Sequence, residues 1–297
     1  MLDTASLRRQ LGHLKRHYHV LHLADALERL YAGTLPDRAA VVTFDDGTQN
    51  LLTHALPVLT DLGVPAAVFL ATGPMGTDEA LWPDRLWLAI ARTGVTEIDL
   101  TALGLGIRPL GSTADRGTVY ALAVERFKDL PDEERITLLE RLLAVLSPEA
   151  DGGAGPFRLL NWEEALALTE GGLVTLYPHT VTHPILSRCS ADKVDHEVAE
   201  SCAEVARRTG CDPAVFAYPN GRARDFDERA KVALRRQGVR WALATTRGIA
   251  HRDSDPLALP RIGVGDDMSF AAFRLLVSGA VPTRRAPDEL TEPATSA

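Results

Sequence analysis

Residues 39–47, Ala-Ala-Val-Val-Thr-Phe-Asp-Asp-Gly, decide the fold class of this chain. The apolar run 39–44 predicts a strand that is buried on both faces, as in a parallel sheet. A helical pattern follows at about 51–62, and a second apolar run at 66–70 predicts another buried strand. A strand, a helix and a strand joined by short turns form a βαβ unit, which implies an α/β protein with a parallel sheet.

The same alternation returns in the second half of the chain. Further strands are predicted there at 173–177, 214–218, 241–245 and 258–264, with helices at 162–170, 191–209 and 226–237. Two more helices, at 4–16 and 23–32, are predicted before the first strand. The helix 191–209 has Ser190 as its N-cap and Gly210 as its C-cap signal.

Residues 75–160 depart from this alternation. Helical patterns at about 82–92, 118–129 and 132–147 indicate a helical insertion between the two halves. We therefore expect one domain over 1–280 that carries this insertion. The remaining residues, 281–297, are rich in Pro, Thr, Arg and Glu and are expected to form a disordered tail.

The composition excludes several classes of protein. The 297 residues include 32 Lys and Arg against 40 Asp and Glu, a net charge of −8, which disfavours nucleic-acid binding. The three cysteines form no CxxC pair, and the helical pattern around Cys202 predicts that it is buried by packing. The sequence shows neither a signal peptide nor a run long enough for a membrane span, so we expect a cytoplasmic protein, unless its N-terminus is truncated.

Two adjacent carboxylates, Asp45 and Asp46, follow the first predicted strand. Within a strand they would point to opposite faces, but at its end Gly47 allows both to turn toward one cavity. Active sites of parallel α/β folds lie at this edge of the sheet. The alternative interpretation is an aspartate that caps the helix at 51–62.

His179 and His183 follow a later strand and are expected at the same edge. If they share one helical turn, their imidazoles lie close enough to bind one metal ion. Two unrelated surface histidines are the alternative for this motif alone. Together with the aspartates it predicts a metal site with open coordination positions, which suits catalysis.

Two further features lie near predicted strand ends. The segment 216–221 runs from a strand into a Pro-Asn-Gly turn. The preference of these residues for turns explains the segment on its own, but such a turn also exposes backbone N–H groups that could hold a developing oxyanion. Arg261 lies in an apolar strand, where it either pairs with a carboxylate such as Asp45 or extends to solvent.

The ordered motifs 43–47, 179–183 and 218–221 resemble those of the polysaccharide deacetylase (NodB-homology, carbohydrate esterase 4) family. The resemblance extends over roughly 5–280 through shorter segments at 54–57, 81–86, 161–164, 225–229 and 259–262. It implies a distorted, incomplete (β/α) barrel.

The resemblance also implies a metal-dependent hydrolase that removes N-acetyl groups from an amino sugar or polysaccharide and releases acetate. Asp46, His179 and His183 would bind one divalent ion, zinc first, with cobalt, nickel or iron also suited to these ligands. Asp45 would be the general base. The segment Tyr218, Pro219 and Asn220 would contact the substrate, with the backbone N–H of Asn220 at the oxyanion.

The chain also departs from the family pattern. Ala217 stands where many members have an arginine that orients the base, and we hypothesise that Arg261 replaces it. No late histidine is found to protonate the leaving amine.

Two alternatives to this function remain. One is a deformylase or O-deacetylase acting on a lipid-linked or other sugar, and the other is a non-catalytic carbohydrate-binding homologue. The expected partner is an N-acetylated carbohydrate, without nucleic acid or a membrane span, and the oligomeric state stays open.

Overall fold

The protein is described by a computed structural model that covers residues 3–146, 153–211 and 213–280. The predicted tail 281–297 lies outside the described residues. The helices are α1 (Thr4–His17), α2 (Leu23–Ala32), α3 (Leu56–Leu62), α4 (Trp82–Arg92), α5 (Thr113–Asp129), α6 (Asp132–Leu146), α7 (Trp162–Ala167), α8 (Ala191–Thr209), α9 (Glu228–Arg236) and α10 (Phe270–Val277). The strands are β1 (His19–Val20), β2 (Ala39–Ala40), β3 (Val42–Phe44), β4 (Ala66–Leu70), β5 (Glu97–Asp99), β6 (Ile107–Pro109), β7 (Val174–Pro178), β8 (Val215–Ala217), β9 (Trp241–Arg247) and β10 (Leu259–Arg261).

Six parallel strands form the wall of a distorted, incomplete (β/α) barrel. They pair as two sheets, in the orders β3-β4-β7 and β8-β9-β10. The predicted run 66–70 is the fully buried strand β4 at the centre of the first sheet. Its five apolar residues pack on both faces, which explains why this strand shows no alternation of polar and apolar residues.

The barrel is open between β3 and β10. Within the described part of the chain, β3 pairs only with β4, and β10 pairs only with β9. An apolar cavity of about 650 Å³ lies on this side, lined by both strands and by α1 and α2. Residues 39–44 are therefore only half-buried. The prediction of burial on both faces was wrong: in the described ranges, 39–40 pair only with the two-residue strand β1, and no strand covers the free edge of 42–44.

The helical segment that follows β3 is not a single α-helix. It begins with a π-helical turn, Leu51–Ala55, and continues as α3. Helices α4, α5 and α6 lie in the interval predicted as an insertion, and an antiparallel β5–β6 pair accompanies them. These elements enclose an apolar core of their own, which includes Trp82, Phe127 and Leu139.

The second half of the chain follows the predicted alternation closely. Helix α8 has the predicted bounds, with the Ser190 side chain as its N-cap and Gly210 in the left-handed conformation as its C-cap. Cys202 is buried in the core, as expected. No helix in the described ranges has both the length and the apolar character to cross a membrane.

Candidate metal centre

Polar residues from four strand ends meet at the carboxyl edge of the barrel. Asp45 and Asp46 follow β3, His179 follows β7, Asn220 lies just after β8, and Arg261 ends β10. The parallel strands bring these distant positions to one edge, as the sequence predicts.

The backbone after β3 turns sharply so that Asp46 faces the histidines. Asp46 and Gly47 both have positive φ, 70° and 79°. A Cβ atom at Gly47 would lie 2.6 Å from the Leu70 Cδ2 atom, so only glycine fits this turn. The following helical segment begins after Asn50, and neither aspartate caps it. The helix-cap interpretation of the aspartate pair is therefore wrong.

The segment between the two histidines is an irregular loop, so the predicted helical turn was wrong. Thr180 and His183 have positive φ, 68° and 57°, which interrupts any helical path. The two imidazoles nevertheless lie close together, with ring centroids 5.1 Å apart. Both rings are almost completely buried.

The side chains of Asp46, His179 and His183 form a cluster suited to one metal ion. The Asp46 Oδ1 atom lies 3.5 Å from His179 Nε2 and 3.3 Å from His183 Nε2. Three ligands that each bind a tetrahedral zinc ion at roughly 2.0–2.1 Å are themselves about 3.4 Å apart. The donor atoms and their spacing therefore fit a divalent ion.

A buried hydrogen bond orients the first imidazole. The His179 Nδ1 atom lies 2.6 Å from the carbonyl oxygen of Ala217, which can only accept, so Nδ1 carries the proton. In the neutral ring, Nε2 is then the nitrogen without a proton, and it is directed toward Asp46, where a metal ion would bind. Such a partner on the second ring nitrogen is usual for histidines that bind metals.

The charges of the cluster are strongly coupled. Desolvation alone would raise the pKa of the Asp46 carboxyl, but hydrogen bonds to His179 and His183 and the charges of these imidazoles hold it well below its usual range. Burial alone would lower the pKa of His179, but its hydrogen bond to Asp46 and the charges of both aspartates raise it. Asp46 is thus ionised and available as a ligand.

Arg261 makes a two-pronged salt bridge with Asp45. Its Nη1 and Nη2 atoms each lie 2.8 Å from one carboxylate oxygen of Asp45. Its Nε atom donates to the carbonyl oxygen of Ala244 at 3.0 Å, which fixes the guanidinium plane. Of the two predicted orientations, Arg261 adopts the paired one.

The turn after β8 presents one polar residue and packs the other two. The Tyr218 side chain is fully buried, stacks on Phe226 and donates its hydroxyl to the carbonyl oxygen of Leu257. Pro219 is also buried. Asn220 has a φ of 59°, and within the described part of the chain neither its backbone N–H nor its Nδ2 atom has a hydrogen-bond partner. Asn220 is therefore the residue of this turn with free donors.

Two residues of the site were missed by the sequence analysis. Glu197 of α8 accepts hydrogen bonds from the loop between the histidines. Asp84 lies in the first turn of α4, two residues after Trp82, whose indole N–H donates to the carbonyl oxygen of His183. Burial and the charge of Asp46 raise the pKa of Asp84 to about 7. Asp84 could have been noticed in the sequence as an acidic residue within the apolar pattern of 81–90. No feature of the sequence around Glu197 indicated its role.

The family model for polysaccharide deacetylase matches residues 32–100 and 133–242. The chain belongs to the polysaccharide deacetylase family. The unmatched interval 101–132 contains β6 and α5. A comparison with curated protein sequences found no match.

Solved structures, two of them of deacetylases, are similar in fold to this family member. The Streptococcus pyogenes deacetylase PplD in complex with acetate is 18% identical, with a TM-score of 0.60, over 93% of this chain and 87% of that chain. IcaB from Ammonifex degensii is 18% identical, with a TM-score of 0.58, over 93% and 88%. The deacetylase domain of BpsB from Bordetella bronchiseptica is 15% identical, with a TM-score of 0.54, over 88% and 84%.

Proposed function

We propose that this polysaccharide deacetylase family member is a metal-dependent hydrolase that removes N-acetyl groups from an amino sugar or polysaccharide. The observation that carries the proposal is the Asp46, His179 and His183 cluster beside an aspartate whose two oxygens are held by Arg261. The acetate held by the structurally similar PplD is the product expected here.

The roles of the chain's residues follow from this arrangement. A divalent ion bound by Asp46, His179 and His183 would supply Lewis-acid chemistry, lowering the pKa of a water molecule and polarising the amide carbonyl. Asp45 takes a proton from the attacking water, and Arg261 keeps its carboxylate oriented. Asn220 donates its backbone N–H to the carbonyl oxygen as negative charge develops there.

The reaction balances as a simple hydrolysis. The hydroxyl of water bonds to the acetyl carbonyl carbon, the C–N bond breaks, and the nitrogen takes up a proton and leaves as an amine. The products are acetate and a free amino sugar. Zinc is the first ion to test. Cobalt, nickel and iron follow, because two imidazoles and one carboxylate bind these ions as well.

Metal content of the purified protein tests the site. We expect about one equivalent of metal in the wild type and its loss in a His179→Ala/His183→Ala double variant, because too few ligands remain for tight binding. His251→Ala, which alters an exposed loop histidine, is the matched control and should keep the metal. A wild type that takes up neither zinc, cobalt nor nickel would reject the proposal and favour the non-catalytic alternative.

Acetate release from N-acetylglucosamine oligomers then tests the reaction. Asp45→Asn should keep the metal but lower kcat by about 10²–10⁴-fold, as expected for loss of a general base. Unchanged turnover would remove Asp45 from that role. Formylated and O-acetylated sugars in the same assay identify the acyl group that the site prefers.

A further inference from the structure

A buried carboxylate lies behind the loop that joins the two candidate histidine ligands. Glu197 on α8 is 1% exposed, and no arginine or lysine pairs with it in the described ranges. Its Oε2 atom accepts hydrogen bonds from the backbone N–H groups of Val181 and Thr182, each at 2.8 Å. Its Oε1 atom accepts from the Thr182 hydroxyl. These donors compensate the desolvation of the carboxylate.

The loop that Glu197 holds has an unfavourable backbone. Thr180 and His183 both adopt the left-handed region, which non-glycine residues enter at a cost of order 1–3 kcal/mol each. This conformation brings the two imidazoles together across only three intervening residues. It persists only where surrounding contacts fix the loop.

Residues 180–182 of the loop are fixed from two sides. From the barrel wall, the backbone N–H groups of Thr72 and Gly73 donate to the carbonyl oxygens of Thr180 and Val181 at 3.0 and 2.9 Å. From the helix layer, Glu197 accepts the loop's N–H groups. Without this carboxylate, two N–H groups beside the candidate ligands would lose their acceptor, and the left-handed conformation would lose its main support from α8.

We propose that Glu197 is a positioning residue of the metal centre, holding residues 180–182 so that His179 and His183 present their Nε2 atoms to one ion. The inference rests on the proposed function only in taking the histidine pair as metal ligands. It assigns to Glu197 a contribution to metal affinity in addition to the stability of the fold.

Cobalt(II) binding separates positioning from general stability. The metal-free protein is titrated with cobalt, and both the Kd and the visible absorption spectrum are measured, because the spectrum reports ligand geometry. Glu197→Met keeps the side-chain volume but removes every acceptor. We expect it to weaken cobalt binding by about 10- to 100-fold, the usual effect of losing a partner behind metal ligands, and to alter the spectrum.

Two further variants define the mechanism. Glu197→Gln can still accept from both N–H groups and donate to the Thr182 hydroxyl, so its Kd should stay within about threefold of the wild type. Ser201→Ala is the matched control. Ser201 is buried one turn along α8, and among the described residues its hydroxyl donates to the backbone carbonyl oxygens of Glu197 and Val198 and not to the histidine loop. It should leave cobalt binding unchanged.

Several outcomes would overturn the inference. A Glu197→Met variant that unfolds more easily but keeps the wild-type Kd and spectrum would make Glu197 purely structural. A Glu197→Gln variant as defective as Glu197→Met would contradict the hydrogen-bond account. If Glu197→Met does not fold, Thr182→Val decides, because it removes one of the three contacts and should weaken binding severalfold; an unchanged Kd would overturn the inference. A wild type that binds no cobalt would instead refute the proposed function.

Discussion

Residues in the left-handed backbone region concentrate at the metal centre. Of the five described non-glycine residues with positive φ, four are Asp46, Thr180, His183 and Asn220, and all four lie at this edge of the barrel. Aspartate, asparagine and histidine are enriched in this region relative to other residues, whereas the β-branched threonine needs support from its neighbours. The concentration of strained backbone here is typical of a functional site.

At the scale of single residues, the salt bridge between Arg261 and Asp45 should affect catalytic activity. Arg261→Ala should lower kcat/KM for acetate release by about 10- to 100-fold, because Asp45 loses the fork that orients both of its oxygens. Arg240→Ala, which breaks an exposed ion pair with Glu28, is the control and should have little effect. Initial rates give the activity, and urea unfolding shows whether each variant is folded. A folded Arg261→Ala enzyme with full activity would exclude the orienting role.

At the scale of elements, the sequence predicts which side chains lie together wherever the order of strands along the chain determines their positions. Parallel strands place their carboxyl ends at one edge, so the alternation of strands and helices was enough to bring Asp45 together with His179. The helical assignment of 179–183 failed because the loop conformation depends on Glu197, which lies 14 residues beyond His183 in the chain. Burial of 39–44 was also misjudged, since it depends on a strand edge left uncovered across the barrel.

The turn that ends β3 can be tested against a helical glycine. Gly47→Ala should destabilise the protein, because φ is +79° and the new Cβ would clash with Leu70 at 2.6 Å. Gly117→Ala, in the middle of α5 with no atom within 4 Å of the added Cβ, should stabilise it by roughly 0.5–1 kcal/mol. Urea denaturation of both variants measures this contrast, and equal effects would contradict the strained turn.

At the scale of the whole molecule, the elements between 75 and 160 form a second apolar core that contacts the metal centre. Trp82 belongs to that core and donates its indole N–H to the carbonyl oxygen of His183 at 3.1 Å. The guanidinium of Arg135, buried on α6, stacks over the Trp82 ring. The histidine loop is therefore held by α4 as well as by α8 and the barrel wall, which links the stability of this second core to the site.

Asp84, in the same turn of α4 as Trp82, predicts how global stability depends on pH. Its pKa is raised to about 7 in the folded protein by burial and by the charge of Asp46, against an ordinary value of 3.8. Between these values the folded state keeps a proton that the unfolded state has lost. The contribution of Asp84 to the free energy of unfolding is therefore fully present below about pH 4 and is lost as the pH rises to about 7.

The test is urea unfolding of the metal-free protein between pH 4 and pH 8, with a chelator present throughout. Asp84→Asn removes the ionisation, so its free energy of unfolding should gain on the wild type by up to about 1.4 kcal/mol per pH unit between about pH 4 and pH 7, and the difference should level off above pH 7. Asp78→Asn, an exposed carboxylate just before α4, is the control and should follow the wild-type curve. Parallel curves for the wild type and Asp84→Asn would show that burial and the charge of Asp46 do not raise the pKa of this carboxyl.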